Sequence, residues 1–131
     1  ESPSVQRATE TVLVVEDDAR VRKLTVGVLR SAGYRVLEAT DGEDALRVAS
    51  AHAGKIDLVV TDVIMPKMNG HRLVEELRRR QLVDRALFVS GYSEASVHSG
   101  KVDDAVAFLP KPFGTAELLE RVRMVLARSQ S

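Results

Sequence analysis

A chain of 131 residues, 44% hydrophobic and 29% charged, has the size and make-up of one ordinary globular domain. Nineteen basic residues balance nineteen acidic ones, so no global field draws it to nucleic acid or to anionic lipid. With no cysteine, disulfides, thiolate zinc sites and a cysteine nucleophile are excluded, which fits a cytoplasmic setting.

Residues 1–10 are polar, with Ser2, Pro3 and Ser4, and read as a linker or lead without the basic flank and apolar core of a signal peptide. No apolar run approaches the ~20 residues of a membrane span. Thr11 to Val15 is a continuous apolar run stopped by Glu16, Asp17 and Asp18, as a central strand of a parallel sheet would be. Asp18 then caps a predicted helix with Val21, Leu24, Val28 and Leu29 at helical spacing and Gly33 as its stop. Tyr34 to Ala39 alternates like a strand. Asp41 caps a second helix carrying Ala45, Leu46 and Ala49, with Asp44 in capping-box position. Ile56 to Thr61 is another apolar strand, broken only by Asp57, and it ends at Asp62. Asn69-Gly70 opens a helix with Leu73, Val74 and Leu77 inward. Ala86 to Ser90 and Ala105 to Leu109 complete five strands. Glu94 to Val102, with two serines, Gly100 and two valines, predicts a short or irregular helix between them. Thr115 caps a last helix with Leu118, Leu119, Val122, Val125 and Leu126 on one face. The domain therefore runs over 11–128, with 129–131 as a tail. Strands alternating with helices argue for an α/β fold of parallel βαβ units with helices on both faces of the sheet.

The polar residues that break this pattern fall at strand ends, where open α/β sheets place their sites. Glu16, Asp17 and Asp18 follow the first strand, Asp62 the third, Ser90 the fourth and Lys111 the fifth. Carboxylates gathered in one crevice repel one another unless a cation joins them. Mg²⁺ suits such a place, because it takes oxygen ligands at ~2.0–2.1 Å and works beside phosphates. Asp62 is the candidate nucleophile, since carboxylates form acyl phosphates. Ser90 would hydrogen-bond one phosphoryl oxygen and Lys111 would pair with another. Taken singly, each has a plainer explanation: a cap, a turn former, a solvated lysine. Their joint placement at four strand ends of one sheet favours function. Lys111-Pro112 is a candidate cis bond. His52, His71 and His98 lack ligand spacing and read as surface histidines, and Arg78-Arg79-Arg80 reads as a solvated helix end.

Three segments carry a resemblance to the response-regulator receiver domain over roughly Thr11 to Arg128. Val-Leu-Val-Val-Glu-Asp-Asp (12–18) resembles that family's acidic motif. Val-Val-Thr-Asp-Val-Ile-Met-Pro-Lys-Met-Asn-Gly (59–70) resembles its acceptor motif, the most specific of the three. Phe-Leu-Pro-Lys-Pro-Phe (108–113) resembles its lysine motif. The resemblance implies a doubly wound, flavodoxin-like five-stranded parallel sheet of order 2-1-3-4-5. It implies phosphoryl transfer to Asp62 from a phosphohistidine on a histidine kinase or histidine phosphotransfer domain, with Mg²⁺ required. Asp17 and Asp62 would then be direct metal ligands, the Ile64 backbone carbonyl a further one, and Glu16 a ligand through water. Ser90 matches the switch hydroxyl and Phe108 the switch aromatic. The run Ser90-Gly91-Tyr92 departs from the family's more usual threonine followed by alanine, and Phe108 has no phenol; both bear on coupling to output rather than on transfer.

Three other functions compete. A phosphohydrolase of the haloacid dehalogenase type usually carries a second acid two residues after its nucleophile, where this chain has Ile64, and a cap domain for which there is no room. A binding module with a dead acceptor would not keep Glu16, Asp17, Asp62, Ser90 and Lys111 together. A flavodoxin-like FMN protein needs a hydroxyl-rich phosphate loop after the first strand, where this chain has acids. The expectation is a domain that catalyses its own phosphorylation and dephosphorylation without many turnovers on small substrates, is cytoplasmic and monomeric in isolation, and contacts neither nucleic acid nor membrane. The polar lead, the end of the chain soon after the last helix and the thin 94–102 segment point to the C-terminal receiver of a hybrid histidine kinase, the alternative being a free-standing regulator.

Overall fold

Five parallel strands form one sheet in the order β2-β1-β3-β4-β5: β1 Thr11–Val15, β2 Arg35–Ala39, β3 Leu58–Asp62, β4 Ala86–Ser90 and β5 Val106–Pro110. The computed structural model describes residues 10–90 and 106–128. Among these, four helices cover the sheet: α1 Ala19–Ser31, α2 Gly42–Ala51, α3 Gly70–Arg79 and α4 Thr115–Arg128. This is the doubly wound α/β architecture and strand order expected. The predicted helix over 94–102 lies outside the described residues.

The period of two along a strand divides the core into two layers. Val12 and Val14 of β1 pack with Val26 and Leu29 of α1 and Leu118, Val122 and Val125 of α4 on one face. Leu13 and Val15 pack with Ala45 and Ala49 of α2 and Leu73, Val74 and Leu77 of α3 on the other. That is why β1 and β4, buried at every residue, are apolar except at Thr11 and Ser90.

Helix starts follow the caps. Asp18 Oδ1 accepts from the Arg20 and Val21 N–H groups, Asp41 from Asp44 N–H, and Asn69 from Arg72 N–H. Asp44 returns a bond to Thr40 N–H, one residue earlier than a capping box would place it. Gly33 ends α1 with φ 102°, the left-handed region that suits glycine.

Five local expectations are corrected. Leu24 is 71% exposed, and Thr25 and Val26 take the buried positions of α1 instead. The helix is turned so that Leu24 lies on the rim of a surface groove rather than in the core. β2 begins at Arg35, because Tyr34 N–H still bonds back to Leu29 in the helix end. β3 begins at Leu58, since Asp57 uses its own N–H and its carboxylate to hold the Thr11 peptide, each at 2.8 Å. Thr115 is the first helical residue of α4 and not its cap: Gly114 C=O accepts the first helical bond, from Leu118, and Gly114 N–H donates to Glu117 Oε1 at 2.8 Å. β5 ends at Pro110 instead of Leu109.

Candidate functional site

Register brings the acids together. Val15 pairs with Thr61, so Glu16 and Asp62 leave adjacent strands level with each other. Asp62 pairs with Val89 and Ser90 with Pro110, which sets Ser90 and Lys111 on the strands beyond. Glu16, Asp17 and Asp62 each offer a carboxylate oxygen within 4.8 Å of the others. Lys111 Nζ donates to Asp62 Oδ2 at 2.9 Å and stands 3.6 Å from Glu16 Oε1. The sheet end thus brings the predicted Glu16, Asp17, Asp62 and Lys111 into one group.

The electrostatics of this group are strained. Glu16 is 6% exposed. Burial pushes its carboxyl up to about 7, with the charge of Asp62 and the side chain of Asp17 acting in the same direction against the Asp18 N–H and Lys111. Burial works against the charge on Lys111, but the hydrogen bond and charge of Asp62, aided by Glu16, hold it above the ordinary lysine value. One ammonium facing three carboxylates leaves a negative excess. An oxygen-only donor set with excess negative charge fits a hard divalent cation such as Mg²⁺.

The surroundings fix these groups in place. Glu16 Oε2 accepts from Asp18 N–H at 3.0 Å. Ser90 C=O accepts from Lys111 N–H at 2.7 Å, and the Lys111-Pro112 bond is cis, as its sequence allowed. Ser90 is 1% exposed, and its buried hydroxyl has no hydrogen-bond partner among the described residues. A buried hydroxyl left unpaired costs about 1–3 kcal/mol, a penalty that an incoming oxyanion would relieve. After Asp62 the chain loops through Ile64, whose side chain is 63% exposed, and returns at Gly70. Gly70 N–H donates to Val63 C=O at 2.7 Å. A β-carbon on Gly70 would stand 2.2 Å from the Asp62 carbonyl oxygen, so the start of α3 rests directly on the Asp62 peptide.

Phe108 is half-buried and stacks on Phe88, its partner in register, at a centroid distance of 5.3 Å. His71 packs on Phe88 at 4.4 Å and lies 6.3 Å from Phe108. His71 is therefore a half-buried aromatic neighbour and not the surface histidine expected; its place just after Gly70 was the signal. Sequence reasoning also missed Arg22, whose guanidinium bonds the Glu16 backbone carbonyl. His98, Gly91 and Tyr92 lie outside the described residues.

No helix among the described residues is long and apolar enough to cross a membrane. The chain is 41% identical over 130 residues to the sensor kinase CckA of Brucella abortus, covering 95% of this chain and 14% of that kinase. It spans about half the length of the transcriptional regulators it also matches. A crystal structure of the receiver domain from the hybrid histidine kinase CckA superposes with a TM-score of 0.73 at 41% identity, covering 88% of this chain and 98% of that one. The response regulator TrrA of Thermotoga maritima, solved in complex with Mg²⁺-BeF, gives a TM-score of 0.73 at 28% identity over 89% of this chain and 99% of its own. The family described as "Response regulator receiver domain" matches residues 12–123. With that match and the shared fold, the chain belongs to the receiver-domain family of two-component response regulators.

Proposed function

We propose that Asp62 is the phospho-acceptor of this receiver domain, and that it takes the phosphoryl group from a phosphohistidine on a histidine kinase or histidine phosphotransfer domain. The observation that carries this is the position of Asp62, level with Glu16 and Asp17 on one side and bonded to Lys111 on the other. A carboxylate oxygen of Asp62 attacks phosphorus as the P–N bond to the donor imidazole breaks. The imidazole leaves with the bonding pair and takes up a proton, and Asp62 becomes an acyl phosphate. Lys111 moves from the free carboxylate to a phosphoryl oxygen, and the Ser90 hydroxyl donates to another. Asp17, Asp62 and the Ile64 carbonyl would hold Mg²⁺ directly, and Glu16 through water. When bound, the cation neutralises charge on the attacking and transferring oxygens.

An incoming partner needs a surface beside this site. Val21, Leu24, Val28, Pro112 and Phe113 line a groove of about 360 Å³ that includes Lys111, and the exposure of Leu24 gives the partner an apolar anchor there. Phosphorylation then draws Ser90 toward the phosphoryl group and lets Phe108 turn inward, shifting an existing equilibrium. The likeness to the CckA receiver supports a place in a hybrid kinase in the cytoplasm, and the balanced charge supports a domain that binds neither nucleic acid nor anionic membrane.

Incubation with acetyl phosphate and Mg²⁺ tests the acceptor. The intact protein should gain one group of about 80 Da, and Asp62→Asn should gain none, because an amide is not a nucleophile. Full modification of that variant would overturn the assignment.

A further inference from the structure

We propose that Arg22 is a positioning residue of the cation site, holding the Glu16-Asp17 peptide so that both carboxylates face the metal; this rests on the Mg²⁺ reading above. Arg22 lies in the first turns of α1, and its side chain is only 15% exposed. Its Nη1 donates to the Glu16 backbone carbonyl at 2.9 Å. Its Nε donates to Glu38 Oε1 on β2 at 3.2 Å, as an ion pair. Neither bond goes to Glu16, Asp17 or Asp62 as a carboxylate, so the guanidinium is not a counter-ion built onto the ligands.

The effect of these bonds follows from peptide geometry. The Glu16 carbonyl and the Asp17 nitrogen belong to one planar unit. Glu16 N–H is already fixed to Ala39 C=O at 3.1 Å, at the end of the β1–β2 ladder. Fixing the carbonyl as well stops that plane from rotating, and the direction in which the chain enters Asp17 is set. Asp18 is held independently, through the Glu16 carboxylate and its own cap on α1. Asp17 is the exposed member of the acidic group. Glu38, on the neighbouring strand, orients the guanidinium, so β2 also takes part in the site. Groups that orient ligands in this way typically change metal affinity by about 10–100-fold when removed.

The sign of the effect separates positioning from charge. A cation near a cation site opposes metal binding, so if Arg22 acted by charge alone its removal would tighten Mg²⁺ binding. If Arg22 positions the ligands, removal weakens it. The test is titration of MgCl₂ into the metal-free domain, by calorimetry, for wild type, Arg22→Met and Arg22→Lys, with thermal unfolding in EDTA alongside. Arg22→Met keeps much of the stem packing and loses both donors. Its Mg²⁺ dissociation constant should rise by about tenfold. Arg22→Lys keeps the charge but cannot reach both acceptors, and should fall between the two. An Arg22→Met domain that unfolds cooperatively and binds Mg²⁺ as tightly as wild type, or more tightly, overturns the proposal. A lowered unfolding temperature with unchanged affinity does the same, because that is a merely structural role. Should Arg22→Met fail to fold, Arg22→Lys decides by the same criterion. Absence of Mg²⁺ binding in the wild type would instead remove the metal reading itself, and this proposal with it.

Discussion

Lys111 Nζ lies 2.9 Å from Asp62 Oδ2, joining two residues forty-nine positions apart in the chain. The ammonium pairs with the Asp62 carboxylate, and in the proposed transfer it would turn to a phosphoryl oxygen.

Lys111→Met should therefore act in two directions. Without metal, Asp62 and Glu16 lose their shared cation, and the unfolding temperature in EDTA should drop. With metal, the same vacancy of positive charge should tighten Mg²⁺ binding several-fold, by about the Coulomb energy of one nearby charge. Calorimetric titration checks the second effect; weaker binding would count against the pairing.

Glu16 predicts a pH dependence for the metal-free domain. Its folded carboxyl is pushed up to about 7 from an ordinary 4.5. Between those values the folded state holds the proton more tightly than the unfolded state. Stability is then highest below about 4.5 for this group and falls as pH rises to about 7. Denaturant unfolding in EDTA across pH 5 to 8 should show the fall, and Glu16→Gln should flatten it.

Ser90→Ala should leave the metal-free fold unharmed or stabilise it by about 1 kcal/mol, because it removes a buried hydroxyl without a partner among the described residues. The same change should weaken binding of a beryllofluoride phosphoryl mimic, by about tenfold for one lost hydrogen bond to a charged group. Denaturant unfolding and mimic titration measure the two effects separately. A variant that loses stability while binding the mimic normally would show that Ser90 serves the fold alone.

Two glycine substitutions should have opposite signs. Gly70→Ala forces a β-carbon against the Asp62 carbonyl and should destabilise by about 1–3 kcal/mol while slowing phosphorylation. Gly27→Ala, exposed on α1 with nothing within 4 Å of the added carbon, should stabilise by about 0.5–1 kcal/mol. Denaturant midpoints of the two variants decide.

The central strands were legible because a segment buried on both faces has to be apolar throughout, as Val12 to Val15 and Ala86 to Val89 are. Glu16, Asp17, Asp62 and Lys111 were legible for the converse reason: charge directly after such a run has to sit at the sheet's rim. Less legible were choices made by contacts distant in sequence. Asp57 leaves the strand to hold Thr11, which no local pattern announces. Leu24 and Thr25 are both compatible with a wide apolar stripe, and only the placement of α1 against the sheet decides that the threonine is buried. The link from Arg22 to Glu16 and Glu38 needs the β1–β2 register, and the packing of His71 on Phe88 needs Gly70 seated on Asp62.

The groove beside Lys111 bears on timing as well as on recognition. Its apolar lining comes from a handful of side chains around Leu24 and Phe113, whereas a stable protein interface engages about 20–30 residues a side. Few anchors mean fast dissociation, since affinity differences among related complexes lie mostly in the off-rate. A donor that docks here would leave soon after handing over its phosphoryl group. On the proposed docking, short residence would free both surfaces for the next encounter, and the modest size of this groove would favour frequent charging and discharging.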